Sequence, residues 1–168
     1  MKYLKKFNES NIDSICEKYN IVNYTINSDG SIDVDGDVEI IGESLTLLPL
    51  NFNKVSGNFN CSINDLISLK GCPKYIDGNF YCYCNQLTTF EYFPISIGQD
   101  GDFVFSNNPV FCFRNYIENQ FDKIEIFNEF RILKDNTVYI DRLSSYCKMN
   151  GYSEPDTTYL KKIGYIIK

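Results

Sequence analysis

Residues 57–110 read GNFNCSINDLISLKGCPKYID, GNFYCYCNQLTTFEYFPISIGQD and GDFVFSNNPV, successive copies of one pattern. Another copy precedes them. Gly36, Gly57 and Gly78 are spaced 21 residues apart, and Gly101 follows after 23. Two positions after each glycine stand Val38, Phe59, Phe80 and Phe103, and four after stand Ile40, Cys61, Cys82 and Phe105. Seven after stand Glu43, Asn64, Asn85 and Asn108, and nine after stand Leu45, Leu66, Leu87 and Val110. Further apolar columns hold Leu48, Leu69 and Phe90, then Val55, Ile76 and Ile97. A repeat of this length is the signature of a solenoid, in which each unit buries its apolar face only against its neighbours.

The alternation at the second and fourth positions predicts a short strand opening each copy, apolar on one face. Successive copies follow the same path, so Val38–Ile40, Phe59–Cys61, Phe80–Cys82 and Phe103–Phe105 are expected to pair in parallel and in sequence order. The Asn column ends the strand, with an amide able to satisfy backbone groups left open by the turn. Pro73 and Pro94 favour an extended or turn-like return over a long helix.

Phe59-x-Cys61-x-x-Asn64-x-Leu66 and Phe80-x-Cys82-x-x-Asn85-x-Leu87 resemble the LxLxxNxL core of leucine-rich repeats. Phe103-x-Phe105-x-x-Asn108-x-Val110 is a looser copy, and Glu43 replaces Asn in the first, so that turn is expected to be built differently. The wording around the core, the opening MKYLKKFNES and the segment NYTINSDGSIDVDGDV resemble the short-repeat, uncharacterised group of leucine-rich-repeat-like proteins found in tailed bacteriophages. The resemblance implies an α/β fold: a short solenoid with a parallel sheet and a recognition surface.

The remaining chain is expected to cap this solenoid within a single domain: 1–35 as leader and N-terminal cap, 36–110 as repeats, 111–168 as a C-terminal helical cap. Met1 to Glu9 read as a flexible or loosely docked leader, either a docking or sorting peptide or a frayed terminus. Ser10 or Asn11 is placed to cap a helix through Tyr19. Strands from Ile21 to Ile26 and from Ile32, joined by the turn Asn27-Ser28-Asp29-Gly30, form a hairpin that shields the first strand's open edge. After Pro109, the spacing of Phe113, Tyr116 and Ile117 and of Phe121, Ile124, Phe127 and Phe130 predicts one or two helices of core-facing aromatics. A turn at Asp135-Asn136, a helix over Tyr139–Met149 stopped near Gly151, a loop over Ser153–Thr158 and a terminal strand or docked tail at Gly164–Ile167 complete the reading.

Composition limits function. Lys and Arg total 16 against 22 Asp and Glu, for a net charge of −6, which argues against a general binder of nucleic acid. No apolar run reaches membrane-spanning length or secretory-signal form, so no membrane partner is expected and the chain is placed in the host cytoplasm or with the virion. Seven cysteines without a signal peptide do not read as a disulfide framework. Cys61 and Cys82 read as buried small hydrophobes. Cys82-x-Cys84 is the nearest approach to zinc-ligand spacing, and with no histidine present no metal or other cofactor is assigned.

No phosphate loop, nucleophile elbow or metal-binding helix is recognisable, so no catalytic residue is assigned. The candidate protein-binding surface is the outward sheet face. Its positions read Glu39 and Ile41, Asn60 and Ser62, Tyr81 and Tyr83, Val104 and Ser106. Tyr81 and Tyr83 are its anchors, flanked by Ile41 and Val104. Asp33, Asp35, Asp37 and Glu39 alternate with apolar residues, which on one strand makes a solvated acidic face continuing that surface; its Ca²⁺-loop pattern fails at Val38 and Ser44. The expected function is a non-enzymatic protein-interaction module binding a host or phage protein. The alternatives are a virion structural or packaged cargo protein, and an enzyme or small-ligand binder with a pocket that leaves no motif.

Overall fold

A computed structural model of the chain describes residues 2–117 and 120–168, with side chains from residue 10 onward. Helix α1 (Lys2–Lys18) leads into strands β1 (Tyr24–Ile26) and β2 (Ile32–Val34), the expected hairpin, antiparallel with Tyr24 opposite Val34 and Ile26 opposite Ile32. Then come β3 (Val38–Glu39), β4 (Phe52–Val55), β5 (Phe59–Asn60), β6 (Tyr75–Ile76), β7 (Phe80–Tyr81) and β8 (Phe103–Val104). The order β3-β5-β7-β8 is one parallel sheet, the repeat sheet, with Val38, Phe59, Phe80 and Phe103 aligned across it. The four predicted strands therefore pair as expected.

The return segments are extended, as expected, and go further. Phe52–Val55 and Tyr75–Ile76 are strands, and with β2 they build a second parallel sheet in the order β1-β2-β4-β6. A further bridge, Tyr75 to Ser96, carries that sheet into the last return. Each coil thus has two strands, and the chain is an α/β protein built on a parallel β-solenoid. Hairpin strand β1 covers the free edge of β2 in this return sheet, while β3 remains the end strand of the repeat sheet.

The glycine column marks the corner between the two sheets. Its requirement is space more than backbone freedom: a Cβ on Gly78 would lie 2.8 Å from the Gly57 carbonyl oxygen, and one on Gly57 would collide with the Asp37 carboxylate. Coils also bond here directly, Gly57 N–H donating to the Gly36 carbonyl at 3.0 Å and Gly78 N–H to the Gly57 carbonyl at 3.1 Å.

Between the sheets lie the expected columns. Phe59, Cys61, Leu66, Leu69, Phe80, Cys82, Leu87 and Phe90 are buried, together with Val55 and Ile76 from the return sheet. Full burial of an aliphatic or Phe side chain stabilises by about 1.5–3 kcal/mol, so these columns carry the bulk of the driving force. Phe59, Phe80 and Phe103 form a file of rings with centroids 6.3 and 5.6 Å apart.

The asparagine column gives the core a polar thread across the coils. Asn64 Nδ2 donates to the Ile40 carbonyl of the coil before at 2.8 Å and to Cys61 of its own coil at 3.2 Å, while its Oδ1 accepts from the Glu43 and Leu45 amides. Asn85 repeats this toward Cys61, Cys82 and the Leu66 amide, and Asn108 toward Cys82, Phe105 and the Leu87 amide. The first coil has no coil before it to bond, and Glu43 there is exposed and pairs with Lys18 of α1 at 3.5 Å.

A second thread runs along the corner. Asp37 Oδ1 accepts from the Asn58 amide, Asn58 Oδ1 from the Asn79 amide and Asn79 Oδ1 from the Asp102 amide, at 2.6, 2.9 and 2.7 Å.

The caps close the solenoid. The expected leader is instead the first half of α1. Leu4, Phe7, Ile12, Ile15 and Cys16 follow a helical period with no Gly or Pro to break it, so no helix starts at Ser10 or Asn11. Cys16 and Ile21 are buried, and Tyr24 donates its hydroxyl to Asp13 of α1 at 2.6 Å.

At the other end a 3-10 turn (Pro109–Phe113), α2 (Arg114–Ile117) and α3 (Phe121–Glu129) deliver the aromatic stripe to the core, where Phe127 packs edge-on against Phe90 at 5.4 Å. Strands β9 (Leu133–Lys134) and β10 (Thr137–Val138) flank the Asp135-Asn136 turn. Helix α4 (Ile140–Asn150) stops at Gly151, whose φ of 71° ends it in a left-handed cap. The expected loop over Ser153–Thr158 is shorter than predicted, because Asp156 caps a six-residue helix α5 (Thr157–Lys162) through the Thr158 and Tyr159 amides. The tail is strand β11 (Ile166–Ile167), parallel to β10, and Tyr165 ties it to the third coil by donating to the Thr88 carbonyl at 2.9 Å.

Removing the amide of Asn64 or Asn85 leaves several buried backbone groups unpaired. Asn64→Ala and Asn85→Ala are therefore expected to lose about 1–3 kcal/mol each in urea melts. Asn60 is half-buried on the outward face and accepts only from the Ser62 amide, so Asn60→Ala should lose less than about 1 kcal/mol. Equal losses at the two positions would contradict this arrangement.

The buried thiols give the fold a pH limit. Burial pushes the Cys61 thiol up to about 12 and holds Cys72 and Cys82 well above the ordinary range. In the unfolded chain a thiol ionises near roughly pH 8.5, so above that pH the unfolded state releases protons that the folded state keeps. Stability is therefore unaffected by these groups in acid and falls as the pH rises above about 9, for Cys61 until its folded thiol ionises at about 12. A Cys61→Ala variant should show a shallower alkaline loss in chemical denaturation; an unchanged slope would refute the assignment.

Candidate functional site

The outward side of the repeat sheet is held on backbone that is paired on both sides. The Tyr81 and Tyr83 carbonyls accept from Cys61 and Ile63 of the second coil at 2.9 and 3.0 Å. The Cys82 and Cys84 amides donate to Val104 and Ser106 of the fourth coil, both at 2.9 Å. A surface built this way changes little in shape when it meets a partner.

On it Tyr81, Tyr83 and Val104 are half-buried, while Ile41 (37% exposed) and Glu39 are open. Asn60, Tyr81 and Val104 form one aligned row. Ile41, Ser62, Tyr83 and Ser106 occupy the corresponding positions two residues on. Ser62 differs from expectation: it is fully buried, and its hydroxyl has no hydrogen-bond partner among the described residues. The larger Ile41 and Tyr83 are its row neighbours, which explains how so small an outward side chain loses solvent.

The acidic row is not one face. β2 stops at Val34 and β3 starts at Val38, and the chain turns between them at Gly36, whose φ is 136°. Asp33 lies on the return sheet, where it accepts from the Asn53 amide group at 2.7 Å. Asp35 accepts from the Ser56 hydroxyl at 2.8 Å, and Asp37 holds the corner thread to Asn58. Glu39 alone of the four is on the outward repeat face. The period of two misled because it continues through a corner, where an alternating pattern no longer defines a single face. Asp35 and Asp37 are thus engaged in holding coils together, and the surface keeps Glu39 as its acidic edge.

A feature of this surface left no mark in the repeat wording. Six positions after each repeat glycine the backbone is left-handed: Gly42, Ile63, Cys84 and Asn107 have φ of 71°, 57°, 53° and 54°. Gly and Asn accept this conformation readily, whereas it disfavours a β-branched residue. Ile63 is nevertheless there, and is 51% exposed. An apolar side chain kept at a strained, exposed position directly after Ser62 extends the apolar edge of the Tyr81–Tyr83 surface.

Cys82 and Cys84 do not form a ligand pair. Cys82 is in the core, while Cys84 is on the left-handed turn with its sulfur accepting from Asn107 at 3.3 Å. Among the described residues no three His, Cys, Asp or Glu side chains are grouped to hold a metal ion, and no helix is long and apolar enough to cross a membrane. No protein-family model, curated protein or solved structure matches the chain.

Replacing Ile63 by the residue of the fourth coil tests the strain. Ile63→Asn should gain about 1 kcal/mol in urea melts by relieving the left-handed conformation. A loss of stability would show that the Ile63 side chain packs into the fold and is not available to a partner.

Proposed function

We propose that the chain is a non-enzymatic protein-interaction module, encoded by a tailed bacteriophage as its leucine-rich-repeat-like wording implies, that binds a host or phage protein through the outward face of the repeat sheet. The observation that carries the reading is the Tyr81–Tyr83 surface: two half-buried tyrosines on doubly paired backbone, edged by Ile41, Ile63 and Val104. Tyrosine rings bury a large area while ordering few torsions, and their hydroxyls stay paired at a wet rim. Glu39 at the edge favours a partner carrying a basic group nearby, which would steer association more than set affinity.

The test is affinity capture from infected cells with the wild type, the double variant Tyr81→Ser, Tyr83→Ser, and a control on the return sheet. Tyr75, 44% exposed there, provides the control Tyr75→Ser. Truncating anchors of this kind costs on the order of 2 kcal/mol or more of binding energy. The double variant should lose the partner while its thermal melt moves little, and Tyr75→Ser should retain it. Retention by the double variant would place the working surface elsewhere. Unfolding of the double variant would show that the two rings belong to the core.

A further inference from the structure

The C-terminal cap meets the third coil across an open cleft of about 650 Å³. Small-molecule sites typically enclose roughly 300–1,000 Å³. The cleft is lined by Glu91 and Tyr92 from the third coil, Arg131 just after α3, Lys134 on β9, and Tyr139 and Arg142 at the start of α4. With Asn128 and Leu133 the lining comes to eight residues, of which three are cations and one is an anion, in a chain of net charge −6. None of the ion pairs among the described residues involves them, although Glu91 lines the same cleft.

Arg142 is already fixed. Its Nη1 donates to the Arg131 carbonyl at 2.9 Å, and its guanidinium lies over the Tyr139 ring, 4.4 Å from the centroid. A guanidinium held in this way engages an anion with its remaining donors at little further ordering cost. The backbone on both sides of the cleft is strained. Tyr92 and Arg131 have φ of 63° and 50°, a left-handed conformation that disfavours bulky side chains, and both are exposed.

We infer that this cleft binds a small phosphomonoester carried on a hydroxyl-bearing ring, a nucleoside monophosphate or a sugar phosphate. Arg131, Lys134 and Arg142 receive the phosphate, for which arginine forks and a lysine charge are suited. Tyr92 offers a flat face to the ring. Glu91, an acceptor only, selects for hydroxyl donors away from the phosphate and against a bare polyanion.

The full chain is titrated by calorimetry and amide NMR with adenosine monophosphate, glucose 6-phosphate, inorganic phosphate and adenosine. At least one of the first two should bind with a dissociation constant on the order of 1 mM or tighter, and shift resonances of residues 91–92 and 131–142. Which one binds separates a nucleoside from a sugar as the carrier. Arg131→Asn with Lys134→Gln should weaken binding at least tenfold while the chain stays folded. Because Asn tolerates the left-handed backbone, Arg131→Asn alone should raise the melting temperature by about 2 °C as it weakens binding. Should the double variant fail to fold, Lys134→Gln alone must weaken binding at least threefold. The inference is overturned if neither ring phosphate binds, if inorganic phosphate or adenosine binds as tightly as they do, or if the charge-removing variants bind unchanged.

Discussion

Each coil after the first buries one asparagine, and that amide is the joint on which the stack depends. A strand of two residues cannot hold its own register, and the repeat sheet is made of such strands. Asn64, Asn85 and Asn108 reach a carbonyl of the coil before and one of their own, and accept from an amide of the preceding turn. Buried in low dielectric, such bonds are strong when made and costly when missing. A coil displaced by one residue would leave the donors and acceptors of its Asn unmatched, so the thread penalises every register but one. The phenylalanine file supplies more free energy but less discrimination, since rings slide against one another at small cost compared with an orphaned buried amide.

The ends follow from the same constraint. A coil without a predecessor has no carbonyl to receive a buried amide, and the first copy carries Glu43 instead, turned toward Lys18 of α1. A coil without a successor leaves its apolar columns open, and the chain responds with aromatics. Phe105, Phe113 and Phe127 gather around Phe90 and one another, and Tyr165 and Asn128 bond the carbonyls of Thr88 and Phe90. Closing the stack in this way brings the end of α3 and the start of α4 against the third coil, and the basic cleft is the seam left between them. The outward tyrosine face and the cleft thus arise from different parts of the architecture, the first from the repeats and the second from their termination.

The 21-residue spacing, the inward columns and the asparagine role were legible because each recurs at a fixed offset, so that a weak local signal is read several times over. The return sheet was less legible. Its strands β4 and β6 each follow a proline and span four and two residues, too short to show a period, although the column of Val55 and Ile76 is apolar as a strand interior requires. The acidic row misled for a related reason: alternation persisted through the Gly36 corner while the face did not. The left-handed column was hidden by Ile63 and Cys84, residues that do not announce such a backbone. Helix α5 is six residues long with a single capping Asp to signal it. The cleft gathers residues from 91 to 142 that only tertiary packing brings together, so neither spacing nor composition pointed to it.

Hydrogen exchange at the asparagine side chains tests the central claim most directly. If these amides lock the coils, the Nδ2 protons of Asn64, Asn85 and Asn108 should exchange only through global unfolding, with protection equal to the slowest backbone amides of the repeat sheet. The half-buried Asn58 and Asn60, whose side chains use only their oxygens in the bonds described above, should exchange far faster. Rapid exchange at Asn64 and Asn85 beneath protected strand amides would mean that the stack holds its register without them, and would contradict the account.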